Sequence, residues 1–113
     1  MLFRSFCAIV AREIPATIID ETDTTLSFRD IAPVSPTHVL VIPKQHVDSL
    51  DDAVALDPRI AADVIARCAH VARAEGLSGG YRVVVNNGAL GGQQVGHLHA
   101  HVLGGRAHSW PPG

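Results

Sequence analysis

Apolar residues change their period along this chain, and each change marks an element. From Gly96 the sequence reads Gly-His-Leu-His-Ala-His-Val-Leu-Gly-Gly, so His97, His99 and His101 alternate with Leu98, Ala100 and Val102. Period two belongs to a β-strand, which places three imidazoles on one face and three apolar side chains toward a core. His38-Val39-Leu40-Val41-Ile42 is instead a continuous apolar run stopped by Pro43, as in a strand covered on both faces. Thr17 to Glu21 and Thr24 to Arg29 are β-rich runs separated by Thr22-Asp23, which predicts a hairpin, and Tyr81 to Val85 is a further strand.

The period shifts to that of a helix after Asp57-Pro58, an N-cap followed by proline at the first helical position. Ile60, Val64, Ile65, Cys68, Val71 and Ala72 form one apolar stripe, and Gly76 closes the element. Phe6 to Ala11 predicts a short helical turn, ended by Pro15 through its effect on Ile14. Asp30 to Pro36 reads as a loop and Asn86-Asn87-Gly88 as a turn, while Gly91-Gly92-Gln93-Gln94 leads into the histidine run. Several strands around one long helix, with connections mostly too short for crossovers, predict a single α+β domain over 1–113 with an antiparallel sheet.

Charge and length narrow the partners. The chain has 113 residues and a formal charge of −2, which provides no basic face for nucleic acid and no polybasic membrane patch. No apolar run is long enough to span a bilayer, and Phe6 to Ala11 is too short for a signal-peptide core and runs into Arg12-Glu13, so a cytoplasmic location is expected. Cys7 and Cys68 stand far apart, as buried or inert thiols in a reducing compartment do. His46, His70, His108 and Lys44 read as surface groups.

Two chemistries remain open for the histidine row. A solvated strand face would favour Thr, Lys and Glu. Same-face neighbours on a strand lie roughly 6.5 to 7 Å apart, so His97 and His101, about 13 Å apart, cannot share one zinc ion with nitrogens at about 2.0 to 2.1 Å. A zinc site would need two of them plus His38, His46 or a carboxylate. Alternatively the central His99 is a nucleophile, with neighbours that set its tautomer and supply a proton to the leaving group. A backbone carbonyl or a second histidine could hold the proton on its other nitrogen. Phosphorus is the fitting electrophile, and Gly91, Gly92, Gly104 and Gly105 would permit close backbone approach to its oxygens.

The run His97-Leu98-His99-Ala100-His101-Val102-Leu103-Gly104-Gly105-Arg106 resembles the motif of the histidine triad superfamily, in its branch of histidine triad nucleotide-binding proteins. Phe6 with Arg12-Glu13-Ile14-Pro15, Asp30-Ile31-Ala32-Pro33, Pro36-Thr37-His38, Ile42-Pro43-Lys44-Gln45-His46, Gly80 to Asn86 and Trp110-Pro111-Pro112-Gly113 match that branch in order. The resemblance implies a five-stranded antiparallel sheet with one long helix and a short N-terminal helix, the sheet continued across a homodimer. It implies a phosphoramidase that cleaves the P–N bond at a purine nucleoside 5′-phosphate, as in adenosine 5′-monophosphoramidate.

By matching position, His99 would form a nucleotidyl-histidine intermediate, His97 and His38 would orient it or relay protons, and His101 would assist the leaving amine. Asp30 would hold the ribose hydroxyls, and Phe6, Ile9, Phe28, Ile31 and Leu40 the base. Asn86 and Gln93 would meet the phosphate, and Trp110 would reach the partner's site. Two positions depart from the pattern. Many bacterial members carry Cys-x-x-Cys near the N-terminus for structural zinc, but Arg4 stands where the first cysteine would fall, so neither tight structural zinc nor any cofactor is expected. Gln94 occupies the usual Ser or Thr position near the leaving group, which opens leaving-group preference and rate. The alternatives are a nucleotide-binding or regulatory module with weak hydrolysis, a dinucleoside polyphosphate hydrolase sharing the triad, and a zinc hydrolase.

Overall fold

A computed structural model describes residues 3–113, with side chains from Phe6 onward. Its elements are α1 (Phe3–Val10), β1 (Ile18–Glu21), β2 (Thr25–Arg29), β3 (Thr37–Pro43), α2 (Leu50–Leu56), α3 (Pro58–Ala74), β4 (Arg82–Val84) and β5 (Ala100–Gly104). The strands form one antiparallel sheet in the order β1-β2-β3-β5-β4, the α+β arrangement expected from the sequence. The histidine strand β5 therefore lies between β3 and β4, and His101 is opposite Leu40 on one side and Val84 on the other.

Alternation sorts the side chains onto two cores. Val39, Val41, Ala100 and Val102 pack with Leu98 against Val64, Cys68, Val71 and Ala72 of α3 and Ala53 of α2. On the opposite face Leu26, Phe28, Leu40 and Ile42 meet Phe6 and Ile9 of α1. This double cover explains the unbroken apolar run of β3. It also fixes where the triad points. With Leu98, Ala100 and Val102 held in the α3 core, the histidines face α1, and the Phe6 ring lies 6.1 Å from His97 and 5.3 Å from His99, edge to face in both cases.

Several local expectations are revised. β5 begins only at Ala100, so His97 and His99 precede the ladder; there Leu98 N–H bonds the Val47 carbonyl at 2.8 Å. A helix not expected from the sequence, α2, starts at the Ser49 cap, whose hydroxyl accepts from Asp52 N–H. Asp57 then serves both helices: its N–H bonds Ala53 O, and its carboxylate accepts from Arg59 N–H. Ile65 lies outside the stripe and is half exposed, because α3 buries only the face carrying Val64, Cys68 and Val71. α1 is closed by Arg12 rather than Pro15. Arg12 adopts φ +63°, with Glu13 N–H bonding Ala8 O and Arg12 N–H bonding Ile9 O, the paired closure usually made with glycine. Gly76, at φ +76°, closes α3 the same way, as its position predicts. Among the described residues no helix is long and apolar enough to cross a membrane.

Candidate active site

His99 is nearly buried, and its Nδ1 lies 2.8 Å from the carbonyl oxygen of His97. A carbonyl only accepts, so Nδ1 carries the proton of the neutral ring and Nε2 keeps its lone pair. The bend that takes residues 97–99 out of the ladder provides this carbonyl.

His101 stands beside it, with ring centroids 5.0 Å apart. Behind His101, His38 Nε2 lies 2.9 Å from His101 Nδ1, and the Asp30 carboxylate lies 3.4 Å from the same His38 nitrogen. Val34 N–H donates to His38 Nδ1 at 3.1 Å, so the neutral His38 ring carries its proton on Nε2 and donates it to His101. His101 in turn holds its proton on Nε2. Burial, reinforced by His99 and His38, brings the His101 pKa down to about 4, and burial lowers His38 and His97 as well. The free site therefore keeps these three rings neutral at pH 7.

A cavity of about 150 Å³ opens over this pair. Phe6, Leu40 and Val95 give it apolar walls, and Asp30, Asn86, Gly92, Gln94, His99 and His101 its polar ones. Of the nucleotide-binding candidates, Phe28 and Ile9 lie in the core beneath Phe6, outside this lining. Ile31 is fully exposed and Trp110 largely so, and neither lines the cavity. His97 is completely buried behind His99.

Gln93, the expected phosphate contact, is engaged elsewhere. Its Nε2 donates to the carbonyls of Asp48 and Val95, and its Oε1 accepts from Gly88 N–H. It holds the 88–95 loop in shape, and Gln94 faces the cavity instead. Gly91 likewise serves the loop, since a Cβ there would lie 2.5 Å from Asn87 O, while Gly92 turns the chain at φ +85°. A larger cavity, about 440 Å³, lies elsewhere, beside the start of α3. No histidine lines it, and its Lys44 and Arg59 are paired with Glu21 and Asp57.

Two clusters have metal-ligand composition. Cys7 Sγ, His46 Nδ1 and His97 Nδ1 lie together, as do donors from Asp30, His38 and His101. Tautomers separate the two. His97 Nε2 is 2.9 Å from Pro43 O and His46 Nε2 is 2.7 Å from Asp48, so both protons point outward and both Nδ1 lone pairs turn toward Cys7. A soft divalent ion fits that arrangement, with three of the four ligands a closed zinc site requires. In the second cluster Val34 N–H forces the proton onto His38 Nε2, the atom that would have to ligate. His46 is thus a member of a cluster behind the triad, and Cys7 lies against two imidazoles, whereas burial raises the Cys68 thiol to about 11 and leaves it inert.

The HIT domain family model matches residues 11–108, and the chain belongs to that family. It is similar to a HIT family hydrolase from Legionella pneumophila Philadelphia 1, with a TM-score of 0.90 and 48% identity over 96% of this chain and 97% of that one. The histidine triad nucleotide-binding protein of Candida albicans superposes with a TM-score of 0.81 at 32% identity, covering 95% of this chain and 82% of that one. A 14 kDa zinc-binding protein of Zea mays is 45% identical over 111 residues, 96% of this chain and 86% of that protein.

Proposed function

We propose that this protein hydrolyses purine nucleoside 5′-phosphoramidates, of the adenosine 5′-monophosphoramidate kind, through a nucleotidyl-histidine at His99. The observation that carries this is the His99 Nδ1 to His97 O hydrogen bond, which leaves Nε2 as a neutral nucleophile beside a cavity. In the first step the Nε2 lone pair forms a bond to phosphorus as the P–N bond breaks. The leaving nitrogen takes a proton from His101, which the anionic substrate favours in its charged form. In the second step water supplies its oxygen to phosphorus, returns a proton to His101 and releases His99. In this reading Asp30 would accept from the ribose hydroxyls, and Phe6 and Leu40 would meet the nucleoside.

The polar lining of the cavity favours one phosphorus over several. Among the described residues lining it there is no Lys or Arg, and phosphate oxygens would be met by the neutral amide of Asn86. A mono-anionic phosphoramidate suits such a site better than a dinucleoside polyphosphate, whose several charges want cationic partners. Hydrolysis needs no cofactor: a zinc ion at Cys7, His46 and His97 would lie behind the nucleophile, where it would hold His97 and thus its carbonyl. The kinship with a HIT family hydrolase and a histidine triad nucleotide-binding protein supports the coarser part of this reading, a hydrolase with a nucleotide ligand.

The working unit in this proposal is a cytoplasmic homodimer whose sheets join through β4. That strand forms one edge of the sheet and exposes Val83 beside Tyr81, an edge that calls for cover. Trp110, exposed on one chain, is then available to the partner's site. Incubation with an AMP–amine conjugate should release AMP and free amine, and His99→Ala should abolish release. Undiminished turnover by that variant, or faster cleavage of a dinucleoside polyphosphate by the native protein, would overturn the assignment.

A further inference from the structure

The last third of the sequence has no acidic side chain. From Gly76 to Gly113 there is no Asp or Glu, and the charged side chains are Arg82 and Arg106. The fold brings these two together with His108 around a cleft of about 330 Å³, lined also by Gly79, Gly80 and Tyr81. This cleft shares no residue with the lining of the triad cavity. Arg12, Arg29, Arg59 and Arg67 each meet a carboxylate, whereas neither Arg82 nor Arg106 has an ion pair among the described residues. Glu75, the nearest acid in the sequence, is taken by both ends of the Arg29 fork.

Neutral groups hold the cationic ones in place. Arg82 Nη2 donates to Ser109 O at 2.6 Å, Arg106 donates to Ala107 O at 3.1 Å and faces Val34 O at 3.5 Å, and His108 Nε2 lies 3.4 Å from Ser35 Oγ. A guanidinium has five N–H donors, so each arginine keeps most of its fork and all of its charge for a ligand. His108 is near enough to both that, after desolvation, their charges hold it below the ordinary imidazole value. Like charges gathered on one cleft repel, and an anion there relieves the repulsion. A Cβ at Gly79 would meet nothing within 4 Å, and Gly79 is not among the glycines of positive φ. Neither packing nor backbone conformation calls for glycine at 79, while bare backbone there leaves the cleft open.

Donors from β4, the turn after β5 and the segment beyond it converge from separate pieces of chain. A tetrahedral oxyanion, with oxygens in several directions, suits them better than a carboxylate with one planar edge. The charge agrees, since a phosphate monoester carries about −1.5 to −2 at pH 7. Two guanidinia are too few for a nucleic-acid backbone. At about 330 Å³ the cleft reaches the size of small-molecule pockets, and the Tyr81 side chain is exposed at its edge to meet the ester group. We infer that Arg82, Arg106 and His108 form a binding site for a phosphate monoester, separate from the triad cavity and independent of the reaction assigned to it.

Isothermal titration with glycerol 3-phosphate, inorganic phosphate and acetate, at pH 7 and constant ionic strength, tests this. Native protein should bind glycerol 3-phosphate saturably, inorganic phosphate more weakly and acetate more weakly still. Charge-assisted hydrogen bonds contribute roughly tenfold to 100-fold in affinity, so Arg82→Gln and Arg106→Gln should each lose about tenfold or more. Arg106→Lys, which keeps the charge without the fork, should fall between. Arg73→Gln, which alters an arginine outside the cleft, should lose nothing. In unsubstituted protein the His108 ring signals should shift on the same saturation curve, a reading that needs no variant to fold. Equal affinity in native protein and both Gln variants, acetate binding as tight as phosphate, or ligand shifts confined to His99 and His101 would overturn the site. So would no binding at all, the result expected if a carboxylate of the partner subunit fills the cleft.

Discussion

His99 donates Nδ1–H to the backbone carbonyl of His97, 2.8 Å away, while His97's own ring turns the other way to donate to Pro43. One residue thus sets the His99 tautomer with its main chain and anchors itself with its side chain. The same logic recurs in a second row, where Val34 N–H fixes His38 and His38 fixes His101. Both rows place a lone pair or a proton at a chosen nitrogen without a carboxylate in direct contact with His99.

The second row should show itself kinetically. His38→Ala removes the donor to a half-buried His101 Nδ1, and losing such a partner costs about 1 to 3 kcal/mol. Steady-state assays should find kcat lowered roughly five- to 100-fold with KM little changed, since the contact orients a proton donor and touches no part of the nucleotide. A rise in KM alone would assign His38 to binding.

Stability should fall with acid. His38, His97 and His101 have pKa values below the ordinary imidazole value, His101 at about 4. Above about pH 6.5 neither the folded nor the unfolded chain binds protons at these rings. As pH falls from about 6.5 toward the His101 value of about 4, the unfolded chain takes up a proton at that ring before the folded one does, and the lowered His38 and His97 act in the same direction, so stability drops through that window. Urea midpoints measured from pH 7.5 to 5 should decline steadily, with a shallower decline in His101→Gln. A midpoint that rises on acidification would contradict the buried neutral rings.

Among the described residues one buried side-chain oxygen has no hydrogen-bond partner. Ser27 Oγ is fully buried with no hydrogen bond among the described residues, on the α3 side of β2 opposite Val41. Removing an unsatisfied hydroxyl relieves its desolvation, so Ser27→Ala should be neutral or stabilise by up to about 1 kcal/mol in urea unfolding. Destabilisation by more than that would mean the hydroxyl has a bonded water.

A metal at the rear cluster should affect stability, not chemistry. Zinc added to metal-free protein should raise Tm in the native protein and not in Cys7→Ser, because the thiolate is one of three ligands. EDTA should leave the hydrolysis rate unchanged once the protein is folded. Loss of turnover with EDTA, restored by zinc, would place the ion in the reaction.

The alternation of His97 to Val102 made the facing of the triad legible before any coordinates, since period two leaves no other way to bury Leu98, Ala100 and Val102 together. It could not show that His97 and His99 leave the ladder, because that bend depends on ring-to-carbonyl bonds with Pro43 and His97 rather than on polarity. α2 escaped notice for want of length: Leu50, Ala53 and Val54 have helical spacing over barely more than one turn, and the further signal was Ser49 before Asp51 and Asp52. His46 looked like surface because its partners Cys7 and His97 stand 39 and 51 positions away. Gln93 and Gln94 are chemically identical in the sequence, and only the turn at Gly92 decides which amide faces the loop and which the cavity.

The central claim is that His99 Nε2 carries the nucleotide between the two steps. Rapid mixing of the protein with an AMP phosphoramidate, followed by alkaline quench and peptide mass analysis, should find one added AMP on the peptide containing His99. His101→Ala should make this adduct longer-lived, because the water that resolves it loses its base. Release of AMP at full rate with no adduct on His99, or an adduct on another residue, would contradict the mechanism.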